Sequence, residues 1–263
     1  MAESQGKPIA VQKVEKSYAS KGGPVHALAS TSLDVEPGEF VSIVGPSGCG
    51  KSTLLMIVAG LVSASAGAVT IDGRRVAEPY TDLGIMFQRP VLLDWRNVLD
   101  NVLLQLDLRG RSRSGYVDRA MALLDQMGLA GFSERRPYEL SGGMQQRVAL
   151  CRSLIHDPPV LLMDEPFAAL DALTRDQLAL DLQELWQKTR KTVLFVTHSI
   201  QEVLFLSDTV VVFTPRPGMI DEIIEIDLPR PRRLAMRESP AFIQFARRIE
   251  QLFLKRGVLR ERA

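Results

Sequence analysis

Apolar residues dominate five short stretches, Phe40–Val44, 83–87, 160–163, 193–196 and Thr209–Phe213, relieved only by Ser42, Gly84 and Thr209. Strands of a parallel sheet are covered on both faces and read as unbroken hydrophobic runs, so these stretches predict the core of a mostly parallel sheet. Between them the period changes. Residues 97–108 carry apolar side chains at 98, 99, 102, 103 and 106, and 116–127 repeat the pattern with Gly128 placed as a C-cap. The stretch from about 90 to 156 therefore predicts a helical block inserted into an α/β domain. A further helix is expected over 176–189, and the alternation of strand and helix sets the fold class as α/β. The N-terminal part is β-rich: 9–14 alternate loosely, 19–24 form a hairpin or loop, 31–35 a short strand, and 68–71 a strand ending in the turn at Asp72 and Gly73. At the other end, 228–233 read as a proline-rich linker. Ser239 and Pro240 then open an amphipathic helix with Phe242, Ile243, Ala246, Ile249 and Phe253 along one face. The expected division is 1–227 as the main domain and 228–263 as linker and terminal helix.

One stretch among these elements carries chemistry by itself. Gly45, Pro46, Ser47, Gly48, Cys49, Gly50, Lys51, Ser52 and Thr53 fit the phosphate-binding pattern G-x-x-x-x-G-K-[ST]. Glycines tolerate the positive φ angles that turn successive N–H groups inward, and those groups form an anion cradle. The apolar run before the loop and the helix expected after it place that cradle at a helix N-terminus. Lys51 would reach the β and γ phosphates, and the Ser52 hydroxyl would ligate Mg2+. Asp164 and Glu165 end the run at 160–163, at the carboxyl edge of a sheet, where α/β ligand sites form. Asp164 suits the Mg2+ shell and Glu165 suits a general base acting on water.

A second glycine-rich helix start lies at Leu140, Ser141, Gly142 and Gly143, followed by Arg147. One nucleotide in one chain has no need of two cradles. This stretch resembles the L-S-G-G-x-x-x-R signature of the ABC (ATP-binding cassette) family, and the resemblance extends over essentially the whole chain. It implies a P-loop NTPase fold with a mostly parallel core sheet, an antiparallel β edge and an inserted helical subdomain. It implies that the signature of one cassette closes on the nucleotide held by a second, most simply an identical copy. Tyr18 is then similar to the aromatic that stacks on adenine and Gln88 to the glutamine that reaches Mg2+ and the transport partner. Ala169, Leu170 and Asp171 resemble the dimer-facing loop, and His198 the histidine that senses the γ-phosphate. ATP and Mg2+ are the expected ligands and ATP hydrolysis the expected reaction.

Composition narrows the setting. With 46% hydrophobic and 24% charged residues in 263, the chain reads as a soluble globular protein, without an 18-residue apolar run or a secretory leader. A permease would then be a separate integral membrane protein, and the cassette is expected to sit peripherally on the cytoplasmic face of the inner membrane. Val91, Leu92, Leu93 and Trp95, directly after Gln88, are candidates to line a groove for a permease helix or to be buried in the core. Cys49 and Cys151 read as small packing residues. A formal net charge of +1 argues against nucleic acid as an obligate partner. From residue 228 onward ten Lys and Arg face three acids, which suits a solvated basic tail or an anionic surface.

Residues 88–102, 205–213, 215–218 and 227–232 resemble the nitrate/sulfonate/taurine importer group, which adds a solute-binding protein as an indirect partner. Asp94, Ser199 and Gln201 depart from that group's usual residues without removing a chemical group named above. Rival classes are a soluble cassette acting in DNA repair or translation, which would carry a coiled-coil insertion or two cassettes, and a small-molecule kinase, which has no use for the signature.

Overall fold

The computed structural model describes residues 5–259. Two sheets enclose one helix. The larger has six strands in the order β10-β9-β3-β8-β7-β6: β6 (Leu83–Met86), β7 (Val160–Asp164), β8 (Thr192–Thr197), β3 (Phe40–Val44), β9 (Thr209–Phe213) and β10 (Ile220–Glu225). All its neighbours run parallel except β10, which pairs antiparallel with β9. The consecutive apolar residues of β3 and β8 are buried on both faces, as their unbroken pattern requires. The smaller sheet is antiparallel, in the order β2-β1-β4-β5, from β1 (Ile9–Tyr18), β2 (Val25–Val35), β4 (Ala66–Ile71) and β5 (Arg74–Arg75). Helix α1 (Lys51–Val58) lies between the sheets, its Leu54, Leu55 and Val58 packed in one cluster with Ile9 and Val11 of β1 and Ile43, Leu162 and Val196 of the larger sheet.

Between β6 and β7 the chain forms α2 (Val98–Leu108), α3 (Val117–Gln126) and α4 (Gly142–Leu154). Asn97 caps α2 by accepting the Asp100 N–H at 2.7 Å, and Gly128 ends α3 with a φ of 69°. Their buried residues share a cluster with Phe40, Phe167, Trp186 and Phe195. Helix α5 (Ala172–Thr189) follows β7, α6 (Ile200–Leu206) follows β8, and α7 (Pro240–Lys255) closes the described chain.

Several elements differ from expectation. Strand β2 begins at Val25 rather than 31, because its outward residues are polar and only pairing with β1 extends it. Strand β10 has the polar sequence IDEIIE with one residue, Ile224, buried, so it carries no hydrophobic pattern of its own. Helix α5 starts at Ala172, where Asp171 caps it ahead of a first turn that buries none of its residues. The proline-rich stretch at 228–233 is packed against the core rather than extended in solvent. Arg232 is 2% exposed, and its guanidinium donates to the carbonyls of Leu204, Ser207, Ile226 and Leu228. In α7, Phe242, Ile249 and Phe253 are buried against Val203, Leu204 and Ile224, whereas Ile243 turns to solvent.

Candidate functional site

The larger sheet delivers its chemistry at one edge. Strand β3 runs into the glycine-rich loop, β7 ends at Asp164, β8 ends at Thr197, and the parallel register brings these ends together. Gly48 and Gly50 hold φ values of 74° and 105°, which a side chain would resist. At Gly50 a Cβ would also meet the Ala27 carbonyl oxygen of β2 at 2.6 Å, so glycine lets the loop seat against the smaller sheet. Gly45 makes the same kind of approach to Phe213, where a Cβ would lie 2.9 Å from the phenylalanine Cβ.

Lys51 is buried, and its Nζ donates to the carbonyls of Gly45 at 2.8 Å and Pro46 at 2.9 Å. Among the described residues it forms no ion pair, and the two loop carbonyls are what compensates its burial. The Ser52 hydroxyl donates to Asp164 Oδ1 at 2.8 Å. Burial pushes the Asp164 carboxyl above its ordinary range, and the Ser52 bond works against that shift. Burial likewise raises the Cys49 thiol, and Cys151 is pushed up to about 12, so both cysteines are inert packing groups at neutral pH.

Glu165 has a φ of 45°, a backbone conformation uncommon for a non-glycine residue and of the kind that gathers at functional sites. Its N–H donates to the Val196 carbonyl at 2.8 Å, and its Oε2 lies 3.2 Å from His198 Nδ1. His198 is thus joined to the carboxylate from the neighbouring strand end. Behind it, the Thr197 hydroxyl donates to Glu202 at 2.5 Å and accepts the Ser199 N–H at 3.1 Å, which fixes the backbone on both sides of the histidine.

Tyr18, Ala27, Ser47, Gly48, Gly50, Lys51, Ser52, Thr53, Gln88, Asp164, Glu165 and Arg216 line one cleft of about 450 Å³. Tyr18 is exposed at the end of β1, with the Lys16 ammonium 4.9 Å from its ring centroid. Of the predicted residues, Ser47, Gly48, Gly50, Lys51, Ser52 and Thr53 of the loop therefore meet Tyr18, Gln88, Asp164 and Glu165 in one place, whereas Gly45, Pro46, Cys49 and His198 do not line it. Ser141, Gly142, Gly143 and Asp171 do not line it. They form a second cluster: Ser141 caps α4 by accepting the Met144 N–H at 3.3 Å, and Asp171 caps α5 by accepting from Thr174 N at 3.0 Å and Thr174 Oγ1 at 2.6 Å. Hydrogen bonds from Thr174 hold the Asp171 carboxyl below its ordinary range. Gly143 packs so closely on Thr174 that a Cβ there would collide with its methyl group, which locks the two helix starts together. The two clusters are linked by the loop after β6. Gln146 of α4 donates to the Gln88 carbonyl at 2.9 Å, and Arg152 donates to those of Pro90 and Val91 at 2.6 and 2.8 Å.

Residues 28–168, more than half of the chain, match the ABC transporter family. The chain belongs to that family. Among relatives of this cassette, a taurine import ATP-binding protein of Rhizobium johnstonii is 45% identical over 252 residues, covering 93% of this chain and 95% of the relative. An aliphatic sulfonates import ATP-binding protein of Bacillus cereus is 39% identical, covering 95% and 98% of the two chains. The fold is that of an ATP-binding cassette solved as a dimer in a post-hydrolysis state with ADP and Pi, at a TM-score of 0.75 and 32% identity over 84% of this chain and 100% of that one. The fold is an ABC cassette and the chain is an ABC ATPase.

Reasoning from sequence missed Arg216, Gln146, Arg152 and Thr174. Arg216 stands in a loop whose sequence names no contact for it, and the other three act through contacts across 31 residues or more. Val91 and Trp95 are exposed, at 59% and 72%, whereas Leu92 packs against the core. Among the described residues no helix is long and apolar enough to cross a membrane.

Proposed function

We propose that this cassette is the ATP-hydrolysing subunit of an importer that moves a small anionic solute of the nitrate, sulfonate or taurine type through a separate permease. The observation that carries the reading is the single cleft in which the phosphate loop, Gln88, Asp164 and Glu165 converge, on a chain whose relatives are import ATP-binding proteins. The loop N–H groups and Lys51 would bind the phosphates, and Tyr18 would support the base. The oxygen donors of Ser52, Asp164 and Gln88 suit a hard divalent cation. They would hold Mg2+, which supplies charge neutralisation at the transferred phosphate. Glu165 would accept a proton from the attacking water, and His198, bonded to Glu165, would orient it and report the γ-phosphate.

Ser141, Gly142, Gly143 and Asp171 stand outside the cleft of their own chain, and their role is toward the nucleotide of a second cassette, most simply an identical one. Val91 and Trp95 would face a cytoplasmic helix of the permease; the cassette would then sit on the cytoplasmic face of the membrane, with a solute-binding protein on the other side. The test is affinity capture of tagged Glu165→Gln from detergent-solubilised membranes with ATP and Mg2+. Recovery of a multi-span permease supports the reading; recovery of soluble proteins alone overturns the transport assignment.

A further inference from the structure

The loop between β9 and β10 is pinned in a way its sequence does not announce. It closes on itself where Thr214 N donates to the Met219 carbonyl at 2.9 Å and Met219 N donates to Thr214 Oγ1 at 3.2 Å. It is tied to β2 by Gly218 N to the Ala27 carbonyl at 3.1 Å and by Ala29 N to the Gly218 carbonyl at 2.9 Å. Any Cβ on Gly218 would collide with the Cys49 carbonyl oxygen, so the loop rests directly on the phosphate loop. Two residues earlier, Arg216 is carried onto the wall of the cleft that Tyr18 and Ala27 also line.

Among the described residues Arg216 is held there by one bond, Nε to the His26 carbonyl at 3.2 Å. Among the described residues it forms no ion pair. Arg230, Arg237, Arg248 and Arg256 are engaged on Asp208, Asp176, Glu222 and Asp221, whereas the exposed Arg233 and Arg247 lie away from the cleft that Arg216 lines. An exposed guanidinium anchored at Nε and lining an anion cleft leaves its two amino groups free for bidentate capture of a phosphate. Lys51 lies within electrostatic reach of Asp164, whereas Arg216 is bonded to His26, which pairs with Ser17 next to Tyr18 on the neighbouring strand.

We propose that Arg216 binds the nucleotide directly, at the phosphate nearest the base. The inference rests on reading this cleft as the ATP site. Its test is equilibrium binding of ATP, ADP and adenosine to the full chain, the nucleotides by calorimetry and adenosine by ligand-observed NMR, for the parent, Arg216→Ala, Arg216→Lys and Lys51→Ala. Arg216→Ala is expected to weaken ATP and ADP alike by about tenfold, the loss of one charge-assisted contact. Arg216→Lys should recover part of that, and adenosine affinity should stay within about twofold. Unchanged ATP and ADP affinity in Arg216→Ala, or an equal loss for adenosine, would overturn the assignment to a phosphate. Should Arg216→Ala prove unstable, Arg216→Gln carries the same comparison. Undiminished ATP binding by Lys51→Ala would instead overturn the cleft as the ATP site, which separates the two failures.

Discussion

At the residue scale, Glu165 combines a strained backbone with a side chain bonded to His198 on the wall of the cleft. The substitution Glu165→Gln keeps shape and backbone while removing the basic oxygen. ATP turnover should fall by about 10²–10⁴-fold with ATP affinity retained, a range set by general-base catalysis. A steady-state phosphate-release assay beside a binding titration checks this; retained turnover would place the base elsewhere. His156 offers a different prediction. It is buried, its Nε2 lies 3.2 Å from the Leu83 carbonyl, and among the described residues its Nδ1 has no partner. Burial, then the Arg109 charge, lowers its pKa to about 4 from 6.5. Between those values the unfolded chain holds a proton that the folded chain refuses. Stability is therefore full above pH 6.5 and is lost as pH falls toward 4, by at most about 3 kcal/mol. Urea unfolding at pH 7 and pH 4.5 should show a smaller acid loss in His156→Gln than in the parent; equal losses would assign the acid sensitivity to other groups.

At the element scale, the segment at 228–233 shows how a solvent-like sequence becomes structure. Arg232 donates to four main-chain carbonyls, and Arg230 lies 4.2 Å over the Trp186 ring while pairing with Asp208. Burial lowers the Arg232 pKa to about 10, which still leaves it charged at neutral pH. Arg232→Met should cost about 2–4 kcal/mol, because carbonyls that cannot reach water lose their donor. Arg233→Met, at an exposed neighbour, should stay within about 0.5 kcal/mol. Chemical denaturation of the two variants decides; similar midpoints would mean that Arg232 is replaceable by packing alone. Periodicity and caps made α2, α3 and the ends of β3 and β7 legible, since those signals are local. Strand β10 and the first half of β2 were not legible, because their pattern is polar and a neighbouring strand supplies the hydrogen bonds.

At the scale of the whole molecule, the cassette divides its chemistry between two places. The cleft gathers the phosphate loop, Gln88, Asp164 and Glu165, while Ser141, Gly142, Gly143 and Asp171 sit in a cluster joined by the contact of Gly143 with Thr174. If the second cluster completes the cleft of another copy, Glu165→Gln with ATP and Mg2+ should elute as a dimer in size-exclusion chromatography and revert without nucleotide. A persistent monomer would refute that geometry. Trp95 is 72% exposed, and the main chain of its loop is held by Asn101, Arg136 and Arg152. Trp95→Asp should therefore leave folding and the isolated cassette's ATPase rate unchanged while the permease is lost from affinity capture; undisturbed assembly would move the docking surface elsewhere.

The order of residues along the chain determined the phosphate loop, the acidic strand end, the signature and the class of fold. Each is written in adjacent residues whose conformational preferences and charges act over a few positions. Tertiary structure decided which groups share a site. The parallel sheet aligned three strand ends into one cleft, and the helix starts at Ser141 and Asp171 were drawn away from it into their own cluster. It also set Arg216 on the wall of the cleft that Tyr18 lines, nearly two hundred positions away, through a glycine that must rest on the phosphate loop. Contacts of that kind depend on packing distance and not on spacing in sequence, and no local pattern encodes them.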